Sequence, residues 1–363
     1  MSISKIRVAV LFGGKSAEHE VSLQSARNVI NALDKDKYEV VPIGIDKEGR
    51  WLLADTSNYL LNSADPKLIS LNKSNNAVAV VPQSSGALME LASHREASHI
   101  DVFFPVLHGP FGEDGSIQGL LKLANVPFVG PGVLGSAVSM DKDVMKRLFR
   151  EAGLLIADFV VVRPGDTVAY PTITQRLGSP VFVKPANLGS SVGVHKVTRE
   201  DELAPALADA FAYDTKVLIE EAIIGREIEV SVLGNEDPIA SLPGEIVPHH
   251  DFYSYEAKYI DEHGAGLEIP ARLPEAVVRR LQEAAIAAFR VAGCEGMARV
   301  DFFLRQDGAV IVNEINTIPG FTSISMYPKL WEASGIAQPE LLDRLIQFAI
   351  ARFERDRRLK TSR

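Results

Sequence analysis

ARVDFFLRQDGAVIVNEINTIPGFTSIS, running from Ala298 to Ser325, is the stretch whose reading decides the fold of the C-terminal part. An apolar run ends at Leu304, Asp307-Gly308 marks a turn, and a second run goes from Ala309 to Ile315. Asp-Gly between two alternating runs predicts a hairpin, because a two-residue type I′ turn needs positive φ at both central positions. Counting outward from Gln306 and Ala309, Phe303 faces Val312, Asp301 faces Glu314 and Arg299 faces Asn316, all on one side of the sheet. Carboxylates directly opposite on neighbouring strands repel each other. A cation between them removes that clash. The oxygen ligands of Asp301, Glu314 and the Asn316 amide, with no Cys or His nearby, predict a hard ion, Mg²⁺. A solvated face with incidental acids competes with this reading, but Val300, Phe302, Ile311 and Ile315 predict strands buried on their other side. After the hairpin, Asn316 to Gly320 turns away, and Gly320 offers a backbone N–H that can approach a ligand closely. Arg299 cannot lose its charge and is suited to a developing oxyanion. Together these features predict a floor for phosphoryl or acyl transfer.

The chain around this stretch has 363 residues, enough for two or three domains, and its composition (46% hydrophobic, 23% charged) is that of a globular protein with ample core. A net charge of -9 without Lys/Arg blocks argues against nucleic-acid binding. Cys294 stands alone, so no intramolecular disulfide forms, and its setting predicts a small packed residue in a reducing compartment. No apolar leader precedes the first strand, and no apolar stretch approaches bilayer length. A cytoplasmic location is expected, with no membrane partner.

Taken in order, Ile6 to Phe12 reads as a buried parallel strand that ends at Gly13-Gly14 and feeds a helix with Leu23, Ala26, Ile30 and Leu33 at helical spacing. Gly14-Lys15-Ser16 mimics the end of a P-loop, but the first glycine of that motif would fall at Ala9, inside the strand. What remains is a loop at the carboxyl end of a first strand, the ligand crevice of an open α/β sheet. Glu18 sits there, either to favour the helix dipole or to bind substrate. Strands follow at Tyr38 to Ile45, Val78 to Pro82 and Asp101 to Val106. After the last, His108 lies in a glycine-rich loop before a helix from Ser116 to Ala124, as a structural hydrogen-bonder or a site residue. Residues 1–130 therefore read as one α/β domain.

Beyond Gly130 a helix is expected from Ser136 to Gly153, carrying Lys142. The strand Val181 to Val183 ends in Lys184-Pro185, followed by Asn187 to Val194, whose glycines and hydroxyls suit a flap over phosphates. Lys184 supplies the point charge such a site needs. Val217 to Glu221 and Ile228 to Leu233 read as strand, turn, strand, with Glu220 and Glu227 bracketing the turn, either as contacts for an adenine amino group and a ribose diol or as solvated acids. Residues 251–266 form a long polar, aromatic-rich segment of the kind that acts as a lid, with Tyr255, Lys258 and Tyr259 close together. Helices are expected from Pro274 to Ala292 and from Ile336 to Phe353.

Lys142, Lys184-Pro with its Gly-Ser-Ser-Val-Gly loop, Glu220, Glu227, Arg299, Asp301, Glu314 and Asn316 together resemble an ATP-grasp enzyme. Glu18-His-Glu-Val-Ser, His108-Gly-Pro-Phe-Gly-Glu-Asp-Gly, Tyr255-Glu-Ala-Lys-Tyr259 and Asn316-Thr-Ile-Pro-Gly-Phe-Thr narrow the resemblance to the D-alanine–D-alanine ligases, over the whole chain. The resemblance implies a three-domain α/β ATP-grasp enzyme: an N-terminal open parallel sheet (1–130), then two α+β domains (131–216 and 217–363) that sandwich ATP. It implies that a first D-alanine is phosphorylated by ATP and that the amine of a second displaces phosphate, giving D-alanyl-D-alanine for peptidoglycan precursors. By resemblance, Asp301, Glu314 and Asn316 hold two Mg²⁺ (or Mn²⁺), with or without a monovalent cation besides. Lys142, Lys184 and Lys258 contact phosphates. Glu220 and Glu227 take adenine and ribose, while Ala222 and Ile223, where some relatives carry a Lys and a larger aromatic, contribute backbone contacts. Glu18 binds the first ammonium and, with Ser190 and Tyr259, links the loop to the site. Arg299 and the Gly320 amide form the oxyanion hole, Ser325 and Met326 bind the second carboxylate, and His108 lies near the first D-alanine. The retained Tyr255–Tyr259 pattern implies an amine nucleophile, and a homodimer is implied by the family alone. Two alternatives stay open: an ATP-grasp ligase joining another acid and amine, and a nucleotide-sensing relative without catalysis.

Overall fold

Val8 to Phe12 lose all contact with solvent, which is why the first strand is apolar at consecutive positions rather than at alternate ones. This strand, β1 (Ile6–Gly13), pairs in parallel with β2 (Tyr38–Ile45), whose other edge carries the short antiparallel β3 (Trp51–Leu53), and with β4 (Val102–Val106). Helix α1 (His19–Ala32) connects β1 to β2, and α2 (Ser116–Leu123) follows β4. The strand expected at Val78 to Pro82 is shorter, Val78–Val80, and belongs to a separate three-stranded antiparallel sheet. The computed structural model describes residues 5–63, 65, 68–72, 76–248 and 265–360.

The single helix expected from Ser136 to Gly153 is two: α3 (Val133–Met140) and α4 (Lys142–Glu151). Asp141 breaks it. Its backbone is extended (φ -83, ψ 100), and its carboxylate accepts from the N–H groups of Asp143 and Val144, which caps α4. A four-stranded antiparallel sheet follows, β5 (Phe159–Val162), β6 (Val181–Pro185), β7 (His195–Val197) and β8 (Val217–Glu221), in the order β5-β8-β6-β7.

β8 and the next strand, β9 (Arg226–Gly234), are not a hairpin. β9 lies in a six-stranded sheet with β10 (Gly244–Pro248), β11 (Ala265–Glu268), β12 (Gly296–Leu304) and β13 (Val310–Asn316), ordered β11-β10-β9-β12-β13, and with Ile239–Ala240 beside β9. The four residues Ala222 to Gly225 thus pass from one sheet to another, and β8, expected at the head of the C-terminal domain, completes the central sheet instead.

The β12–β13 hairpin keeps two of the three expected pairs. Arg299 faces Asn316 and Asp301 faces Glu314, but Phe303 faces Ile311 rather than Val312. The loop has three residues, not two: Arg305 N–H donates to the Ala309 carbonyl at 3.0 Å, Gly308 N–H donates back to Arg305, and Gly308 takes the left-handed conformation (φ 83). A bulge between Asp301 and Phe302 then puts Asn313 opposite no partner and restores the register. One residue lost at the loop and one gained at the bulge cancel, so the acidic pair survives an incorrect turn type.

Helix α5 (Glu275–Val291) packs Leu281, Ala285 and Phe289 against Ile228, Val230, Val300 and Phe302, covering one face of the large sheet. The opposite face, carrying Glu227, Glu229, Arg299 and Asp301, is left for the cleft. The chain ends in α6 (Met326–Ala333) and α7 (Gln338–Asp356), which share a core with β1 and α1; Phe321, Tyr327, Trp331 and Leu345 meet Phe12, Leu23 and Phe104 there. This core ties the C-terminal turn to the N-terminal sheet, with the Phe104 and Phe321 rings 6.1 Å apart.

Candidate active site

A cleft of about 480 Å³ opens between the large sheet, the N-terminal sheet and the loop after β6. Its floor is the β9–β12–β13 face. Arg299 donates to both oxygens of Asp301 (2.8 and 2.7 Å) and reaches Glu229 at 3.0 Å, so two carboxylates fix the guanidinium plane. Glu229 was not singled out in the sequence; it pairs across strands with Asp301, and only the β9–β12 register reveals it. Glu314 lies 3.5 Å from Lys142. Asn316 Oδ1 is buried without a hydrogen-bond partner. Among the described residues no group of three or more His, Cys, Asp or Glu is arranged to hold a metal. The candidate set is two carboxylates and an orphaned amide oxygen, an all-oxygen set that fits a hard divalent cation. The close approach expected of Gly320 is spatial: a Cβ there would come within 2.8 Å of Ser325 Oγ. That hydroxyl accepts from Thr322 N–H at 2.9 Å, and Ser325 stands immediately before Met326, the first residue of α6.

The loop after β6 forms the roof. Ser190 and Ser191 take positive φ (54 and 59), a conformation uncommon outside glycine and concentrated at functional loops. Lys142, the first residue of α4, donates to the Leu188 carbonyl at 2.5 Å, and Ser190 Oγ donates to Glu18. Gly189, Ser190, Lys142 and Glu18 all line the cleft.

Behind the roof lies a cluster that the sequence reading placed only in part. Lys184 and Lys146 hold one oxygen each of Glu220, Lys146 at 3.0 Å. Burial raises the Glu220 pKa, but the two ammonium groups outweigh it and hold the carboxyl below its ordinary value. Glu220, Lys184, Ala222 and Ile223 do not line the cleft, whereas Glu227 does. Lys146 was missed, although its position four residues after Lys142, on the same helix face, was a usable signal.

The N-terminal rim supplies Glu18, His108 and Glu113. His108 Nδ1 bonds to the Ile318 carbonyl at 3.0 Å, and burial lowers its pKa against the opposing pull of the Glu18 carboxylate. Glu113 accepts from Gly109 N–H (2.6 Å) and Ile318 N–H (3.3 Å), joining the rim to the turn that presents Gly320. Burial, and then the nearby Glu18 carboxylate, push the Glu113 pKa up to about 8. Cys294 is buried, and its thiol is pushed up to about 12 by that burial, as a packed residue requires. Tyr255, Lys258 and Tyr259 lie outside the described residues.

Two family models match the chain: the D-ala D-ala ligase N-terminus over residues 7–131 and the D-ala D-ala ligase C-terminus over residues 148–347. A D-alanine–D-alanine ligase from Oceanobacillus iheyensis is 56% identical over 362 residues, covering 99% of each chain. Among solved structures, the VanG D-Ala:D-Ser ligase from Enterococcus faecalis superposes with a TM-score of 0.84 at 37% identity, covering 95% of this chain and 100% of that one. A D-alanine–D-alanine ligase from Bacillus anthracis, complexed with ATP, gives 0.73 at 28% identity, covering 97% and 99%. With both halves matched and the cleft assembled between them, the chain belongs to the D-alanine–D-alanine ligase family.

Proposed function

We propose that this chain joins two D-alanines into D-alanyl-D-alanine at the expense of ATP, through a D-alanyl phosphate, supplying a peptidoglycan precursor. The observation that carries the reading is the floor itself: Arg299 locked between Asp301 and Glu229, beside Glu314, Asn316 and Gly320, with the Glu18–Ser190 link above.

In the first step a carboxylate oxygen of D-alanine attacks the γ-phosphorus of ATP, the bond to the β-phosphate oxygen breaks, and ADP leaves. Lys142 and Lys184 contact the phosphates in this reading, with Lys258 as a third. Glu227 faces the cleft for the ribose, Glu220 acts toward adenine, and Ala222 and Ile223 contribute backbone contacts. Divalent ions would be held by Asp301, Glu314 and Asn316 and, when bound, neutralise charge on the phosphates. Glu18 takes the ammonium of the first D-alanine and His108 lies beside it. In the second step the unprotonated amine of another D-alanine, its carboxylate at Ser325 and Met326, attacks the acyl carbon. The resulting oxyanion lies toward Arg299 and the Gly320 N–H. The nitrogen gives up a proton, the carbon–oxygen bond to phosphate breaks, and inorganic phosphate departs with the electron pair and can take up that proton. Tyr259, assigned by family resemblance alone, is the residue whose retention favours an amine over a hydroxyl nucleophile.

The three-part division of the chain belongs to this proposal, with the second boundary moved past Glu221. So do a cytoplasmic location, where ATP is available, and a homodimer. Among the described residues no helix is long and apolar enough to cross a membrane. The test is phosphate release with ATP, Mg²⁺ and D-alanine, beside L-alanine, D-serine and D-lactate, with products identified by mass. D-Alanyl-D-alanine formed one-for-one with phosphate is expected. Faster turnover with D-serine or D-lactate as second substrate would reassign the specificity, and no D-alanine-dependent phosphate would overturn the ligase.

A further inference from the structure

We infer that Lys146 is a positioning residue for nucleotide binding: by occupying one oxygen of Glu220, it leaves Lys184 with charge to offer the phosphates. The inference rests on the role proposed for Lys184 above.

Lys146 is 0% exposed, in a helix whose other buried positions are the apolar Met145 and Phe149 and Asp143, which is itself paired with Arg147 and Lys216. A lysine in such a place is costly unless paired, because its ammonium has been removed from water. Its partner is Glu220, at 3.0 Å, itself 3% exposed. Glu220 also meets Lys184 through its second oxygen. Glu314, the other nearby acid, is 3.5 Å from Lys142. Burial pulls the Lys146 pKa down and the Glu220 carboxylate pulls it back up; counted by formal charge, two lysines against one carboxylate leave a single surplus positive charge in the cluster. Lys146 has no route to solvent. The Lys184 side chain keeps 13% of its exposure, so the surplus is expressed through Lys184. Without Lys146, Glu220 and Lys184 would neutralise each other as an isolated buried pair, and the point charge expected to meet a phosphate would be spent inside the protein.

This arrangement predicts a sign that packing alone does not. Lys146→Met keeps the length and removes the charge, taking the cluster from one surplus positive charge to none. Lys146→Met with Glu220→Gln restores one surplus charge, on Lys184. The double variant should therefore bind polyphosphate better than the single one, although it carries more changes.

The experiment measures binding of ADP and of inorganic tripolyphosphate, each with Mg²⁺, to the full-length protein and to these variants, with thermal unfolding of each recorded. Tripolyphosphate has no adenine, so any direct contact of Glu220 with the base drops out. Lys146→Met is expected to weaken both ligands roughly tenfold, the loss of about 1.4 kcal/mol, and the double variant to recover most of it for tripolyphosphate. Lys146→Arg, which keeps the charge, should lie near the wild type. Equal affinity in Lys146→Met and wild type would overturn the inference, as would a double variant that binds tripolyphosphate more weakly than the single one. If Lys146→Met does not fold, the double variant, free of both buried charges, decides the matter by matching or failing to match wild-type affinity for tripolyphosphate. A wild type that binds neither ligand would instead overturn the ATP reading of the cleft.

Discussion

The phosphate side of the cleft and the N-terminal rim each hold a glutamate shielded from solvent, and the two are shifted in opposite directions. On the phosphate side Glu220 lies between Lys146 and Lys184 and is held ionised. On the rim Glu113 sits beside Glu18, is held by backbone N–H groups, and is pushed up to about 8. Glu220 is buried and Glu113 half-buried, and what separates them is the pair of ammonium groups that Glu220 has and Glu113 lacks. The consequence is directional. Surplus positive charge gathers where a triphosphate would lie, and surplus negative charge gathers where an ammonium group would lie.

The strongest way to break this polarity is at Arg299, the cation between the two regions. Arg299→Met leaves Glu229 and Asp301 without the guanidinium that holds both, and removes the oxyanion partner. The turnover number should fall by about 10²–10³, the loss seen when an oxyanion donor is removed. Arg299→Lys should recover little, because one ammonium cannot satisfy three carboxylate oxygens in a plane. Steady-state phosphate release measures both, and a Lys variant within a factor of a few of wild type would sink the argument. Next in size is Glu18→Gln. It removes a charged partner worth about 1.5–3 kcal/mol to an ammonium, so the KM for D-alanine should rise roughly ten- to hundredfold while ADP affinity stays unchanged. A parallel loss of ADP affinity would show that the two regions are not electrostatically separate.

How much of this was legible in the sequence depended on whether partners were local. Asp301 and Glu314 face each other across one hairpin, and their pairing could be counted from the chain, even though the assumed turn was wrong and an unseen bulge corrected it. Lys142, the 187–194 loop and Glu18 were recognisable from what surrounds them in sequence. Glu229 was not, because its meaning comes from strand β9 lying beside β12, some seventy residues later. The β8–β9 link misled for a related reason: four residues with a glycine between two apolar runs look like a hairpin, and only the pairing of β8 with β5 and β6 shows two sheets. Lys146 carried a helical spacing, but nothing local said that its helix face would be closed to water.

Glu113 tests the rim through stability rather than turnover. Its carboxyl stays protonated in the fold up to about 8, against an ordinary 4.5 in the unfolded chain. Between those values the folded state binds more protons, so the contribution of this group is fully present below about 4.5 and is lost as pH rises toward 8. Glu113→Gln cannot ionise and should remove that slope. Urea unfolding of both proteins from pH 5 to 8.5 should show the wild type losing more stability than the variant, with the difference levelling off above pH 8. Parallel curves would mean that Glu113 titrates normally and that the rim does not differ from the phosphate side in this way.

The smallest effect separates the two charged regions from the scaffold that carries one of them. Gly308 closes the β12–β13 hairpin with φ 83, and a Cβ there would meet nothing closer than an Arg280 side-chain nitrogen at 3.5 Å. Gly308→Ala therefore pays only for the left-handed backbone, about 1–2 kcal/mol. The strain lies at the far end of the strands from Arg299 and Asp301, and the bulge at Asn313 sits between. Because register is already corrected at that bulge, distortion of the turn should be absorbed before it reaches the acidic pair. The variant should unfold at lower urea concentration yet keep wild-type KM values for ATP and D-alanine. A raised KM for ATP alone would mean that the turn holds Glu314 and Asn316 in register, and that the phosphate side depends on the hairpin tip in a way the rim does not.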